Sequence, residues 1–395
     1  MDIYQESLDL HQKLGGKLSI ASKVQLQNRH DLSLAYTPGV AEVSRVVAKN
    51  PEKAYELTLK KNTIAIVSDG SAVLGLGNIG AYGAIPVMEG KAVLFKEYAD
   101  IDAFPICVQT QNTYEIISLV KNIAPVFAGV NLEDIAAPRC FEIEAALQDI
   151  GIPVFHDDQH GTAIVLLAAL INAAKLAEKE LTELKVVING AGAAGTAIVE
   201  LLLCVGYDPT VCTPVKEIII CDSKGIISRS RSDLQQSAQK MKLAMLTNRE
   251  DKNGSLSDAM HGADVFIGVS VGDLVSQEMV RSMAKNPIIL AMANPIPEIM
   301  PEEAKAAGAC IVGTGRSDFP NQVNNVLAFP GVFRGAMDAK ASRITPKMKL
   351  LAAYALANYV KSPSPEEILP SVLDKEVGRA VAKAVAEAWK SEQTA

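Results

Sequence analysis

The chain has 395 residues, 38 basic against 45 acidic, for a formal charge of −7. That length allows two domains, each able to bury its own core, and the lack of a long basic run argues against a nucleic-acid or anionic-membrane partner. Met1-Asp-Ile-Tyr-Gln-Glu6 lacks a basic segment followed by an apolar core, so no export signal is expected; six scattered cysteines (Cys107, Cys140, Cys204, Cys212, Cys221, Cys310) without a CxxC pair read as reduced core thiols of a cytoplasmic protein.

From Met1 to Lys61 the pattern is largely helical, yet its apolar positions Leu8, Leu10, Leu14, Leu18 and Ile20 do not fit the sheet of either domain. Strands are then expected at Thr63–Val67, Ala92–Phe95, Ala103–Val108, Val126–Phe127 and Val154–Phe155. Asn112 caps a helix from Thr113 to Ile123, and Pro138 opens another that ends near Gly151. A helix from Gly161 to Leu176 carries the chain onward; its apolar run Ala163–Ala174 is too short to span a bilayer and contains Asn172, so it reads as a buried helix and no membrane partner is expected. Strands recur at Val186–Asn189, Glu217–Cys221, Val265–Gly268, Ile288–Ala293 and Cys310–Gly313, and beyond Lys340 the chain is helical again, punctuated by Lys361-Ser-Pro-Ser-Pro-Glu366. This is an α/β chain with two domains. Residues 1–160 form an N-terminal substrate and metal domain with a helical dimerisation segment, and residues 161–395 form a Rossmann-type, doubly wound parallel sheet with C-terminal helices.

Two acidic pairs stand at the ends of apolar runs: Glu133-Asp134 after Pro125–Val130, and Asp157-Asp158 after Pro153–His156. One such pair is as easily a helix cap as a ligand set. Two at successive strand ends converge on the edge where open α/β sheets bind ligands, and carboxylates are the hard oxygen donors that Mg²⁺ or Mn²⁺ prefers. His156 and His160 have HxxxH spacing, but the pair straddles a strand end, position 157 is Asp and no cysteine is near, so zinc is not expected. Lys185-Val-Val-Ile-Asn189 then opens onto Gly190-Ala-Gly192-Ala193-Ala194-Gly195, a GxGxxG turn before the apolar run Ile198–Cys204. Such a turn holds a dinucleotide pyrophosphate at a helix N-terminus. Asp222 ends the next strand, where an acid meets the ribose hydroxyls, which favours NAD; Ser223 and Lys224 beside it keep NADP open.

Tyr36-Thr-Pro-Gly-Val-Ala41, Ser68–Gly80, Pro86-Val-Met-Glu-Gly-Lys91, Asn131-Leu-Glu-Asp134, Phe155–Thr162, Ala293-Asn-Pro295, Asn321–Asn325 and Phe329–Arg334 occur in the order of the malic enzymes, which the chain resembles over most of its length. The length is similar to the compact bacterial type. The resemblance implies oxidation and decarboxylation of (S)-malate to pyruvate, with NAD(P)⁺ and Mg²⁺ or Mn²⁺. It implies Glu133, Asp134 and Asp158 as metal ligands, Lys91 as the base at the C2 hydroxyl, Asp157 as the group orienting that ammonium, and Tyr36 as the acid at C3. Asn294, Asn324 and Asn325 resemble binders of substrate carboxylate and cofactor carboxamide. One position departs: the larger members carry an arginine two residues past the Asp-Gly of the Ser68–Gly80 segment, where this chain has Ala72. The distal carboxylate then needs another holder, for which the Gly75-Leu76-Gly77-Asn78 amides are the candidate. Two other readings are a metal-independent amino-acid or hydroxy-acid dehydrogenase on a similar plan, which has no use for the three carboxylates, and a non-catalytic nucleotide-binding regulator, which has none for Lys91 and Tyr36. The unplaced N-terminal apolar face is expected to pair with its counterpart in a two-fold homodimer, with Tyr36 completing the neighbour's site.

Overall fold

Two parallel sheets organise the computed structural model, which describes residues 2–73 and 76–394. The first contains β1 (Thr63–Ser68), β2 (Asp102–Cys107), β3 (Gly129–Leu132) and β4 (Val154–His156) in the order β2-β1-β3-β4. The second contains β5 (Lys185–Asn189), β6 (Glu217–Asp222), β7 (Gly225–Ile226), β8 (Val265–Gly268), β9 (Ile288–Ala291) and β10 (Ile311–Thr314) in the order β10-β9-β8-β5-β6-β7, with only the short β7 antiparallel. In each sheet the chain moves outward to one side and then returns to the other side of its first strand. The switch lies between β1 and β3 in the first sheet and between β5 and β8 in the second, and ligands bind beyond the strand ends at such points. β1, β3 and β4 are buried throughout, the pattern of parallel strands covered on both faces.

The Asp157–Leu176 helix links the sheets and has 14 of its 20 residues buried. Among the described residues it is the one helix long and apolar enough to cross a membrane, yet it lies in the protein core. Its fully buried Asn172 amide is satisfied by donating to the carbonyls of Ala357 and Ile368 at 2.9 and 3.0 Å. The C-terminal helices fold back over the first sheet. Phe329 and Phe333 of the Phe329–Asp338 helix meet Phe95 edge-on at 4.7 and 5.4 Å, and Phe333 also meets Phe155 of β4 at 5.9 Å. One continuous apolar cluster therefore spans both sheets.

Three expectations are corrected. Ala92–Phe95 is not a strand; it lies inside the Gly80–Ala99 helix, which is apolar on most sides, so a short apolar run there has no period that separates strand from helix. Val126 belongs to a 3₁₀ turn over Ala124–Val126 and Phe127 caps it, because Pro125 takes the first turn of a helix; the strand starts at Gly129. Cys204 and Cys212 are not free thiols but joined in a disulfide, which ties the end of the Ala193–Leu202 helix to the loop before β6. Cys107, Cys140, Cys221 and Cys310 are free.

Candidate active site

β3 and β4 lie side by side, so the residues just past them share one edge. Glu133 and Asp134 follow β3, while Asp157 and Asp158 form the first turn of the Asp157–Leu176 helix, where its dipole favours negative charge. One carboxylate oxygen from each of Glu133, Asp134 and Asp158 falls within 4.8 Å of the others. Asp134 sits at φ 53°, in the left-handed region, held by its N–H to Asp158 Oδ2 at 2.8 Å and by its carbonyl, which accepts from the Ala72 N–H at 3.0 Å. A non-glycine residue in that conformation persists only where its surroundings over-determine it. Asn131, fully buried on β3, donates to Glu133 Oε2 at 2.7 Å and fixes that carboxylate's rotation.

Lys91 reaches this edge from the Gly80–Ala99 helix. Its ammonium pairs with Asp157 Oδ2 and with Glu133 Oε1 at 2.9 Å, and lies 4.0 Å from the centre of the Phe329 ring. Asn325 donates to the same Asp157 oxygen at 2.6 Å, so a residue from beyond β10 joins groups from the first sheet. Gly161 faces Asp157 Oδ1 so closely that any Cβ there would collide with it. Burial by itself lowers the Lys91 pKa, but the charges of Asp157 and Glu133 outweigh that and hold it above its ordinary value. Burial raises Glu133, Asp157 and Asp158, with Lys91 opposing; Asp134, buried beside Asp158 and Glu133, is pushed up to about 9. A divalent cation relieves the mutual repulsion of carboxylates crowded in this way. Asp134 Oδ2, buried, also has no hydrogen-bond partner among the described residues, so Glu133, Asp134 and Asp158 fit a divalent ion.

The dinucleotide loop is built around close backbone approach. Gly190 has φ 125°, and a Cβ there would strike the Val269 carbonyl at the β5–β8 switch; one on Gly195 would strike the Gly190 carbonyl. Gly192 caps the helix that begins at Ala193 and Ala194, leaving its first N–H groups for a pyrophosphate. The cradle fits a dinucleotide. Asp222 ends β6 in the hands of two cations: Arg231 holds both its oxygens at 2.8 and 3.2 Å and Lys240 donates at 2.6 Å. Burial works against ionisation there, and those hydrogen bonds overrule it and lower its pKa. Lys224 pairs with Asp233 at 3.0 Å.

The structure thus brings Lys91, Glu133, Asp134, Asp157, Asp158 and Asn325 together. Asn324 uses its side-chain oxygen to cap the Val326 N–H at 2.9 Å, its NH₂ making no hydrogen bond among the described residues, and Asn294 is exposed after β9. Tyr36 is outside the cluster: it is 66% exposed, and its hydroxyl makes no hydrogen bond to any of these groups. Of the proposed holder of the distal carboxylate, Gly75 lies outside the described residues, and Asn78 exchanges hydrogen bonds with Gln111 at 3.1 and 2.9 Å. The sequence does not mark Asn131 as functional, although it lies in the Asn131–Asp134 segment, nor does it mark the Arg139–Asp69–Ser71 network. There Arg139 donates to Asp69 at 2.7 Å and to Ser71 at 3.0 Å, and Ser71 Oγ accepts the Ala136 N–H at 2.8 Å, stiffening the turn after Glu133 and Asp134. Nor does the sequence mark Glu144, which accepts the His156 N–H at 3.1 Å and pairs with His160 at 2.9 Å. Burial works to raise Glu144, but His160 overrules it and holds the carboxyl at about 2, while burial pushes both His156 and His160 down. Nothing in spacing alone marks those contacts.

Comparison with known proteins gives a consistent picture. The family model "Malic enzyme, N-terminal domain" matches residues 15–118, and "Malic enzyme, NAD binding domain" matches residues 159–389. The chain is 55% identical over 391 residues to the bifunctional malic/malolactic enzyme of Bacillus subtilis (strain 168), covering 98% of this chain and 93% of that one. It is 54% identical to the NAD-dependent malic enzyme of Geobacillus stearothermophilus, over 95% of this chain and 77% of that one. The crystal structure of an NAD-dependent malic enzyme from Thermotoga maritima superposes with a TM-score of 0.91 at 51% identity, covering 96% of this chain and 98% of that one.

Proposed function

The chain belongs to the malic enzyme family, and from that premise we infer that it oxidises (S)-malate and decarboxylates the product to pyruvate and CO₂, reducing NAD(P)⁺. The observation that carries this reading is the convergence of Glu133, Asp134 and Asp158 beside the Lys91–Asp157 ion pair. Neither a metal-independent dehydrogenase nor a nucleotide-binding regulator has use for three converging carboxylates, two of them buried, and a buried ammonium at one strand edge.

Glu133, Asp134 and Asp158 would hold Mg²⁺ or Mn²⁺, and Gly190, Gly192, Ala193, Ala194, Gly195, Asp222 and Asn294 the dinucleotide. When bound, the ion polarises the C2 oxygen and the nicotinamide accepts the C2 hydride. Lys91 takes the C2 hydroxyl proton. It rests as an ammonium, and a cation sharing Glu133 would withdraw one of the two carboxylates that stabilise that charge, bringing Lys91 toward a base. Asp157, itself fixed by Asn325, holds the Lys91 nitrogen in one place, and Tyr36 delivers a proton to C3 after CO₂ leaves. Asn324 and Asn325 face the substrate. For the dinucleotide we propose NAD, with Asp222 accepting from the adenosine ribose; the Arg231 and Lys240 cations that now hold Asp222 support NADP as the second reading.

The functional division proposed is 1–160 for metal, base and assembly and 161–395 for the dinucleotide, within a cytoplasmic homodimer. Helices Ile3–Leu14, Arg29–Ala35 and Val40–Lys49 bury none of their residues, and Leu8, Leu10, Leu14, Leu18, Ile20, Leu32 and Leu34 lie exposed. An apolar surface of that extent calls for a partner, and a second copy with Tyr36 inserted into its site accounts for both the surface and the stranded tyrosine. The test is reduced-cofactor formation from (S)-malate, comparing NAD⁺ and NADP⁺ with Mn²⁺ and with chelator. Equal rates in chelator-treated buffer, or turnover without CO₂ release, would sink the reading.

A further inference from the structure

His156 ends β4 with no exposed surface, and among the described residues neither of its ring nitrogens makes a hydrogen bond of good geometry, although the Ile135 main chain lies near the ring. An idle buried polar group is rare in folded proteins and asks for a reason beyond packing. The residue is not loosely placed: its main-chain N–H donates to Glu144 Oε1 at 3.1 Å, and Glu144 is pinned in turn by His160 at 2.9 Å and Gln159 at 3.3 Å. From that anchored backbone the ring points Nδ1 toward Asp158 Oδ2, at 3.8 Å. The same oxygen already accepts the Asp134 N–H at 2.8 Å. A second donor on it would lock the rotation of the Asp158 carboxylate, leaving the other oxygen with one direction to face.

We propose that His156 is the positioning residue for Asp158, its Nδ1–H donating to Asp158 Oδ2 when Glu133, Asp134 and Asp158 close on a divalent cation. This rests on the metal reading above. Bringing 3.8 Å to hydrogen-bond length takes a shift of about 1 Å, within reach of small side-chain rotations. An ionised carboxylate only accepts, so the proposal requires the ring proton on Nδ1. Groups that orient a metal ligand set affinity rather than chemistry, and their loss weakens metal binding about 10–100-fold.

The experiment is Mn²⁺ titration by calorimetry, checked by the electron paramagnetic resonance of free Mn²⁺, on the full chain and three variants. His156→Leu keeps the apolar volume without a donor. His156→Asn keeps a donor near the place of Nδ1. His156→Leu is expected to bind Mn²⁺ about 10–100-fold more weakly, and His156→Asn within about threefold of the parent, with NADH affinity unchanged in both. Parent-like Mn²⁺ binding by His156→Leu overturns the proposal, and so does equal loss in both variants, which would make the ring a packing group. Asp158→Asn separates the two levels of the argument. If neither the parent nor Asp158→Asn binds Mn²⁺ stoichiometrically, the cage itself is wrong and His156 falls with it. Should His156→Leu fail to fold, nitrogen-15 histidine spectra of the parent with Mg²⁺ decide. Only five histidines are present, and His156→Asn assigns the resonance by its disappearance. A proton on Nδ1 supports the proposal; a bare Nδ1 with the proton on Nε2 overturns it.

Discussion

Lys91 is buried while Tyr36 is 66% exposed, so the two residues assigned to proton transfer cannot meet through the packing of one chain as it stands. If each site uses Lys91 of one subunit and Tyr36 of its partner, two inactive proteins will complement one another. Lys91→Ala and Tyr36→Phe, each below detection alone, are mixed in equal amounts and allowed to exchange. In a two-fold dimer every site draws its lysine and its tyrosine independently, each intact half the time, so about a quarter of all sites are whole. The mixture should recover about a quarter of parental malate-dependent NAD⁺ reduction, all of it from heterodimers carrying one whole and one doubly broken site. Differently tagged subunits and native mass spectrometry would establish that exchange took place. Activity that stays at the level of the separate variants, with heterodimers present at half the population, refutes trans assembly of the site. Activity of the parent that survives dilution to monomer refutes the need for a dimer at all.

Other outcomes follow from the same geometry. Asp158→Ala should abolish malate oxidation while NADH binding, followed by fluorescence, is kept, because the dinucleotide loop lies on the other sheet; retention of metal-dependent turnover would contradict the ligand assignment. Gly161→Ala places a methyl on Asp157 Oδ1 and pushes that carboxylate off Lys91, so kcat should fall about 10²-fold while the chain still folds cooperatively; an unchanged kcat would show that Asp157 does not orient the lysine. Asp134 titrates at about 9 in the folded chain against roughly 4 unfolded, so its folded state favours the protonated form. Its contribution to stability is fully present below pH ~4 and is lost as pH rises toward ~9, so in chelator the melting temperature should decline across that window, and the rise produced by Mn²⁺ should grow with pH. A Mn²⁺-induced rise that shrinks between pH 6 and 9 would refute the sign.

The five parallel strands of the second sheet, the glycine turn, the acidic pairs and the helix after Asn112 were legible in residue order, because each depends on neighbours a few positions away; the two-residue antiparallel β7 was not. β8 fell on Val265–Gly268 as read, since an isolated β-branched and aromatic run between turn residues has few other options. Ala92–Phe95 failed for the converse reason: four apolar residues within a helix that is buried on most sides look the same as a strand, and only packing against Phe329 and Phe333 shows which they are. The acidic residues of the active site were likewise local information, as carboxylates at strand ends, whereas Lys91 was marked only by its resemblance motif, and its place on the Gly80–Ala99 helix came from the structure. What no local pattern contained was their joining: Asn325 on Asp157 across 168 positions, Glu144 behind His156, Arg231 and Lys240 closing on Asp222, and the Cys204–Cys212 bond. Sequence determined which groups were available and on which edge they stood, because backbone periodicity is set within a few residues. Tertiary structure alone decided which of them touch, because hydrogen bonds and ion pairs form between groups brought together by burial of a common core, whose contacts are long-range.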